Sequence, residues 1–226
     1  MKKIHTKRFL VSFCLLASFV FWTLAVLLFD VQAIGPRGSA VGFATINRFI
    51  HDLTGVHFAL YNVTDWLGLV PIAVCLGFAV LGLVQWITRK SILKVDRSIL
   101  ILGGFYLVVI AAYLLFEKVV INYRPVLINN VLEVSYPSST TLLVLCVMPT
   151  ALSQFRTRIK NQPLKKGVSL VIIAFMFFMV VGRLVSGVHW FTDIVGSVLL
   201  CSALVSLYHA FLGQVCAPKK AHQSFD

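Results

Sequence analysis

An arginine, a histidine and an aspartate fall within eleven residues of one another in the stretch Gly182-Arg183-Leu184-Val185-Ser186-Gly187-Val188-His189-Trp190-Phe191-Thr192-Asp193. With a helix running from Trp190 onward, His189 and Asp193 stand one turn apart on the same face. A carboxylate in that position accepts the proton of one ring nitrogen and leaves the other nitrogen free to attack. Arg183 adds a planar fork of donors that matches phosphate oxygens. Gly182 and Gly187 allow backbone and ligand to come close. The chemistry this suits is an oriented nucleophile beside a phosphate clamp. Taken alone, the triplet equally fits polar anchors at helix ends.

Two further polar stretches bear on that choice. Lys118 and Arg124 precede Pro125, which ends helical geometry near Arg124 and restrains its backbone. Ser135-Tyr136-Pro137-Ser138-Ser139-Thr140-Thr141 has the proline and hydroxyls of a helix start. The free N–H groups of such a start, at Ser138, Ser139 and Thr140, form an anion site. Singly, these stretches read as snorkelling side chains and a cap. Together with the first they place two arginines, a lysine, a helix N-terminus and a His–Asp pair on one face of a membrane.

The elements that position these residues are long apolar runs. Hydrophobic residues make up 59% of the 226, and the mean hydropathy is +0.91, which excludes an ordinary soluble protein. The runs predict an all-α, polytopic membrane protein with six transmembrane helices in one bundle. The spans cover about 9–29, 66–87, 99–116, 138–155, 168–185 and 190–211, and 1–226 forms a single membrane domain. The net charge of +12 sits in short blocks between the runs, so it reports topology and not nucleic-acid binding. Fifteen of the twenty Lys and Arg lie in the N-terminus, the 88–98 and 156–166 loops and the tail. Six spans put all four on one side, which is then cytoplasmic, and put the three polar stretches on the extracytoplasmic side. Basic residues on that side (Arg37, Arg48, Lys118, Arg124, Arg183) call for an anionic ligand.

Val31-Gln32-Ala33 faintly resembles a signal-peptidase site, but the preceding apolar run is too long, so the first span is expected to stay attached. The amphipathic piece 43–60 reads as a helix lying on the membrane surface or packed over the site. It carries His51 and His57, which read as surface residues, although either could reach the site and supply a proton. Cys14, Cys75, Cys146, Cys201 and Cys216 read as inert, small apolar residues. The carboxylates are too few and scattered for a divalent metal, and no cofactor is implied.

At the three polar stretches the chain resembles the type-2 phosphatidate phosphatase superfamily, the lipid phosphate phosphatases related to vanadium haloperoxidases. The resemblance runs over roughly residues 60–213 and takes in the six-span layout and three motifs in order. The family pattern is Lys-x6-Arg-Pro, then Pro-Ser-Gly-His, then Ser-Arg-x5-His-x3-Asp. Arg183, His189 and Asp193 keep the third spacing, with Gly182 in place of serine. The resemblance implies that His189 attacks phosphorus to give a phosphohistidine, that Asp193 orients it, and that Lys118, Arg124 and Arg183 bind phosphoryl oxygens. Two departures stand out: Lys118 and Arg124 have five residues between them, and Pro137-Ser138-Ser139-Thr140 replaces Pro-Ser-Gly-His. The family's histidine there protonates the leaving group, which a threonine hydroxyl is too weak an acid to do.

The expected function is therefore hydrolysis of a lipid phosphate or diphosphate at the extracytoplasmic face of a cell membrane, bacterial in kind, without metal or nucleic acid. The competing expectation is a non-catalytic relative that binds or moves anionic lipids. The expected partners are the lipid phosphate or diphosphate and the surrounding membrane lipids.

Overall fold

The computed structural model describes residues 2–215, with side chains from Thr6 onward. The basic tail carrying Lys219 and Lys220, the side chains of Lys2 and Lys3, and Cys216 lie outside the described residues. Among those described, the chain forms eight α-helices: α1 Lys2–Leu28, α2 Ala44–Thr54, α3 Phe58–Leu67, α4 Leu69–Arg89, α5 Arg97–Lys118, α6 Ser139–Arg158, α7 Gln162–Val185 and α8 Phe191–Val215. Local sequence sets several of the boundaries. Asn161 caps α7 by accepting the Leu164 N–H at 3.0 Å. Gly68 separates α3 from α4, its N–H shared between the Thr64 and Asp65 carbonyls, and Pro71 gives α4 no donor in its first turn.

Five stretches are long and apolar enough to cross a membrane: Thr6–Leu28, Phe58–Arg89, Arg97–Lys118, Gln162–Val185 and Phe191–Val215. The chain is an integral membrane protein, all-helical in its membrane part. Large apolar side chains face outward along these helices, among them Phe21, Leu107, Leu170 and Phe177. The predicted span 138–155 coincides with α6, which is 20 residues long, or about 30 Å. It is less apolar than the other five because it packs against α4, α5, α7 and α8 instead of facing lipid. Buried Thr141, Thr150 and Gln154 share its length with buried Val144, Cys146 and Ala151.

α1 runs along α8 and is built into the fold. Phe19 and Val26 are buried there, and the Trp22 indole donates to the Thr192 carbonyl at 3.2 Å. At one end of the bundle the basic segments meet. Asp96 pairs with Arg89 at 2.9 Å and with Arg158 at 3.8 Å, and Arg8 reaches the His209 carbonyl at 3.5 Å. The opposite end holds α2, α3, the 119–138 connection, the start of α6 and the α7–α8 turn. Within that connection Tyr123 bridges to Val134 and Ile128 to Val131, antiparallel, around Asn129 and Asn130. Both asparagines have positive φ, 50° and 61°, as a two-residue reversal of this hand requires. The amphipathic piece 43–60 becomes α2 and the start of α3, packed over the α7–α8 turn.

Candidate active site

Four of the residues singled out from the sequence converge. Arg124 sits near the start of the antiparallel connection, fixed by its own N–H to the Glu133 carbonyl at 3.0 Å. Arg183 lies in the last turn of α7, His189 just before α8, and Asp193 in the first turn of α8. Arg124 Nη1 and Arg183 Nη2 each lie 3.3 Å from His189 Nε2. A guanidinium only donates, so Nε2 is the acceptor and the ring proton resides on Nδ1. That nitrogen faces Asp193 Oδ2 at 3.6 Å, an ion-pair separation and longer than a hydrogen bond. The Nε2 lone pair is thus the nucleophilic one, with two cations beside it.

All four side chains are shut away from solvent, with Arg183 at 1% exposure and Asp193 at 0%. Burial, and after it the Arg124 and Arg183 charges, holds the His189 imidazole well below its usual range. The ring is therefore neutral and competent as a base or nucleophile. Buried guanidinium charge requires partners. Glu133 meets Arg124 Nε at 2.9 Å, and Asp65 approaches Arg183 Nη1 at 3.6 Å. Thr64 accepts from Arg183 Nη1 at 3.4 Å, and the Tyr61 ring lies 5.0 Å from Arg183 and 6.0 Å from Arg124. Arg183 Nε and His189 Nδ1 have no hydrogen-bond partner among the described residues. Such a set, two converging guanidiniums with a donor to spare, suits an anion with several oxygens.

Asp193 is held from two directions, and its neighbour Thr192 from a third. Its Oδ2 accepts the Trp190 N–H at 2.9 Å, and its Oδ1 accepts Asn122 Nδ2 at 3.2 Å. Asn47 of α2 exchanges two bonds with Thr192, accepting its N–H at 3.2 Å and donating to its hydroxyl at 3.0 Å. The Trp190 indole donates to the Tyr123 carbonyl at 2.7 Å, which ties the Arg124 connection to α8.

A family model of the PAP2 superfamily matches residues 73–215, well over half of the chain. The chain belongs to the PAP2 superfamily. No curated protein matches it. Among solved structures, this PAP2 chain is similar to the transmembrane PAP2-type phosphatidylglycerolphosphate phosphatase from Bacillus subtilis, with a TM-score of 0.60 and 18% identity. The match covers 92% of the present chain and 98% of the other, and at that identity it speaks for the fold.

Other expected site residues of this PAP2 protein stand differently. Lys118 ends α5 with an exposed side chain, and no hydrogen bond or ion pair among the described residues joins it to the cluster. Ser138 is fully buried and engaged internally: its N–H points at the Asp193 carbonyl at 3.4 Å and its hydroxyl accepts from Thr141 at 3.0 Å. Ser139 and Thr140 open α6 half-buried. Ser139 shares a small recess with His189, and Ser139 and Thr140 line a separate cavity of about 480 Å³ with Asp65. His51 lies against Trp190, ring centres 5.5 Å apart, and exposed His57 bonds to the Thr54 carbonyl at 2.9 Å. Neither touches His189 among the contacts of the described residues.

The glycines flanking the motif admit protein, not ligand. A Cβ on Gly187, whose φ is +69°, would sit 2.0 Å from the Gly55 carbonyl oxygen, where the α2–α3 turn docks. One on Gly182 would meet the Thr64 methyl at 2.9 Å. Sequence reading did not single out Tyr61, Thr64, Asp65, Asn47, Asn122 or Glu133. Their only mark in the sequence is polarity beside an apolar run, and a distant partner gives each its role.

Proposed function

We propose that this PAP2 protein is a membrane lipid phosphatase, hydrolysing a lipid phosphate or diphosphate through a phosphohistidine at His189. The observation that carries the reading is the convergence of two buried guanidiniums on Nε2 at 3.3 Å. An incoming phosphoryl group takes over the Arg124 and Arg183 donors, with the Ser139 and Thr140 N–H groups alongside. That frees the Nε2 lone pair to attack phosphorus. Asp193 orients the ring and balances the charge it acquires, and the two arginines stabilise the equatorial oxygens as charge builds on them. Water then cleaves the phosphorus–nitrogen bond. The reaction needs no metal in this scheme.

The site lies extracytoplasmic, at the end away from the basic segments, in a single six-span membrane domain that counts α6 as the fourth span. The similar structure bears the name of an enzyme acting on a lipid phosphate, in keeping with this reading. Thr140 favours a second reading, a protein that binds anionic lipid without turning it over. Phosphate release by the purified protein from a panel of lipid monophosphates and diphosphates decides between them, together with trapping of an acid-labile phosphoprotein. Binding without release of phosphate from either class would overturn the enzymatic reading.

A further inference from the structure

If His189 is the nucleophile, a proton must still reach the leaving oxygen, and the residue in the place of the family's histidine is Thr140. The titratable groups around the site can be sorted by what they face. Glu133 is tied to Arg124 at 2.9 Å. Glu117 shares with His189 a recess of about 30 Å³, too small for a lipid head group. His51 is laid on Trp190 and His57 on the Thr54 carbonyl. Tyr61 turns its ring face to both arginines. Asp65 remains.

Asp65 is the carboxylate that lines the same cavity of about 480 Å³ as Ser139 and Thr140. Its side chain is 57% exposed, so an entering head group can touch it. Arg183 stands between it and the nucleophile, with Nη1 toward Asp65 at 3.6 Å and Nη2 toward His189 Nε2 at 3.3 Å. A phosphoryl group held by that guanidinium has the nucleophile at one edge and the carboxylate at the other. In-line displacement sends the leaving oxygen away from Nε2, toward the cavity that Asp65 and Thr140 share. Arg183 of α7 faces Asp65, and Tyr113 of α5 and uncharged Ser139 and Thr140 of α6 line the cavity with it.

We propose that Asp65 is the proton carrier of the reaction, replacing the missing histidine by relay. This rests on the phosphatase reading above. A lipid phosphate monoanion brings its own proton on a P–OH group, and the Asp65 carboxylate accepts it. The Nε2 lone pair then forms the N–P bond while the P–O bond to the lipid breaks, its electron pair leaving with oxygen. That oxygen takes the proton from Asp65, giving the lipid alcohol, a phosphohistidine and a carboxylate again. In the second half, water attacks phosphorus, the N–P pair returns to Nε2, and the water's proton passes to Asp65 and on to the released phosphate.

Purified full-length protein, assayed with a lipid monophosphate, the matched lipid diphosphate and p-nitrophenyl phosphate, tests this. The last two carry leaving groups that need little protonation. Asp65→Asn is expected to lower kcat on the monophosphate about 10²–10⁴-fold, the usual worth of a positioned acid. Losses on the other two should stay under about tenfold, the gap being the withdrawn proton. Wild-type turnover of the monophosphate should fall as pH rises through the second ionisation of the phosphate, and Asp65→Asn should lose that dependence. Equal losses on all three substrates would reduce Asp65 to a support for Arg183, and undiminished monophosphate turnover would remove it altogether. Should Asp65→Asn not fold, a series of aryl phosphates on wild type serves instead: a proton carrier gives a shallow dependence on leaving-group basicity, and a steep one refutes it. Wild-type protein inert toward all three substrates would instead bring down the phosphatase reading, and Asp65 with it.

Discussion

The Arg183 guanidinium donates to His189 Nε2 at 3.3 Å, across the turn made by Gly187. Donor and nucleophile are therefore paired with each other. A phosphoryl oxygen competes for the same N–H groups and releases the lone pair as it docks. Binding and activation of the nucleophile become one event, among buried side chains where charge interactions are strong.

His189→Ala should abolish phosphate release and leave no acid-labile phosphoprotein. Asp193→Asn is expected to lower kcat by about 10²–10⁴-fold, the scale seen when the partner that sets a histidine's tautomer is neutralised. An asparagine oxygen still accepts the Trp190 N–H that Oδ2 accepts at 2.9 Å, so the helix start should survive. Rapid-quench phosphoprotein assays and helical content by circular dichroism check both. Full turnover in His189→Ala would take His189 out of the mechanism.

Acid dependence follows from the same contacts. Burial first, then Arg124 and Arg183, disfavour the protonated ring of His189. A group shifted downward stays neutral as pH falls through its ordinary value, about 6.5 for histidine. The acid limb of kcat/KM, which reports the free enzyme, should therefore lie clearly below that value. Arg124→Gln removes one of the cations and should move the limb upward while lowering the rate about 10²–10³-fold. A wild-type limb at or above the ordinary value would contradict this.

Orientation can be read from two exposed positions. Val131 lies in the connection bearing Arg124, and Leu93, 87% exposed, lies in the α4–α5 loop among the basic residues. Cysteine at 131 should react with an impermeant maleimide added outside intact cells, and cysteine at 93 only after permeabilisation. The reverse pattern would invert the topology.

Much of this was legible in the sequence because hydropathy acts locally. The apolar runs at 99–116 and 168–185 appear as α5 and α7, with charged residues such as Arg97, Lys118 and Lys165 on the added turns. The i, i+4 spacing of His189 and Asp193 is likewise local, and it holds. What was hidden depends on distant partners. Thr64 looks like part of a surface segment, yet it is fully buried with its hydroxyl under Arg183, 119 residues away. Lys118, expected among the phosphate ligands from the resemblance, ends α5 with its side chain in the open.

Gly182, where the family has serine, has a local reason of this kind. A side chain there would press on the Thr64 methyl, 2.9 Å from the added Cβ. Gly182→Ser should therefore destabilise the protein by about 1–3 kcal/mol, the cost of overpacking. Thr64→Ser removes the methyl and keeps the hydroxyl for Arg183, so the double variant should recover most of the loss. Thermal denaturation in detergent measures the coupling. Strictly additive losses would show that the two residues do not contend for the same space.

Thr140→His offers the sharpest check on the second motif. Thr140 is half-buried and lines the cavity of about 480 Å³ beside Asp65, so an imidazole has room to enter it. A monophosphate must expel an alkoxide, a strong base whose departure benefits from an imidazolium proton. A diphosphate cleaved at its terminal phosphoryl group expels a lipid phosphate, a far weaker base that departs with little help. Wild-type protein should for that reason turn over the diphosphate faster than the matched monophosphate. The substitution should raise monophosphate turnover by roughly 10-fold or more, within the range of general acid catalysis, and change the diphosphate rate much less. Substrate pairs assayed side by side at one pH give the ratio directly. An unchanged ratio in a folded Thr140→His protein that also carries Asp65→Asn would mean that position 140 does not face the leaving group.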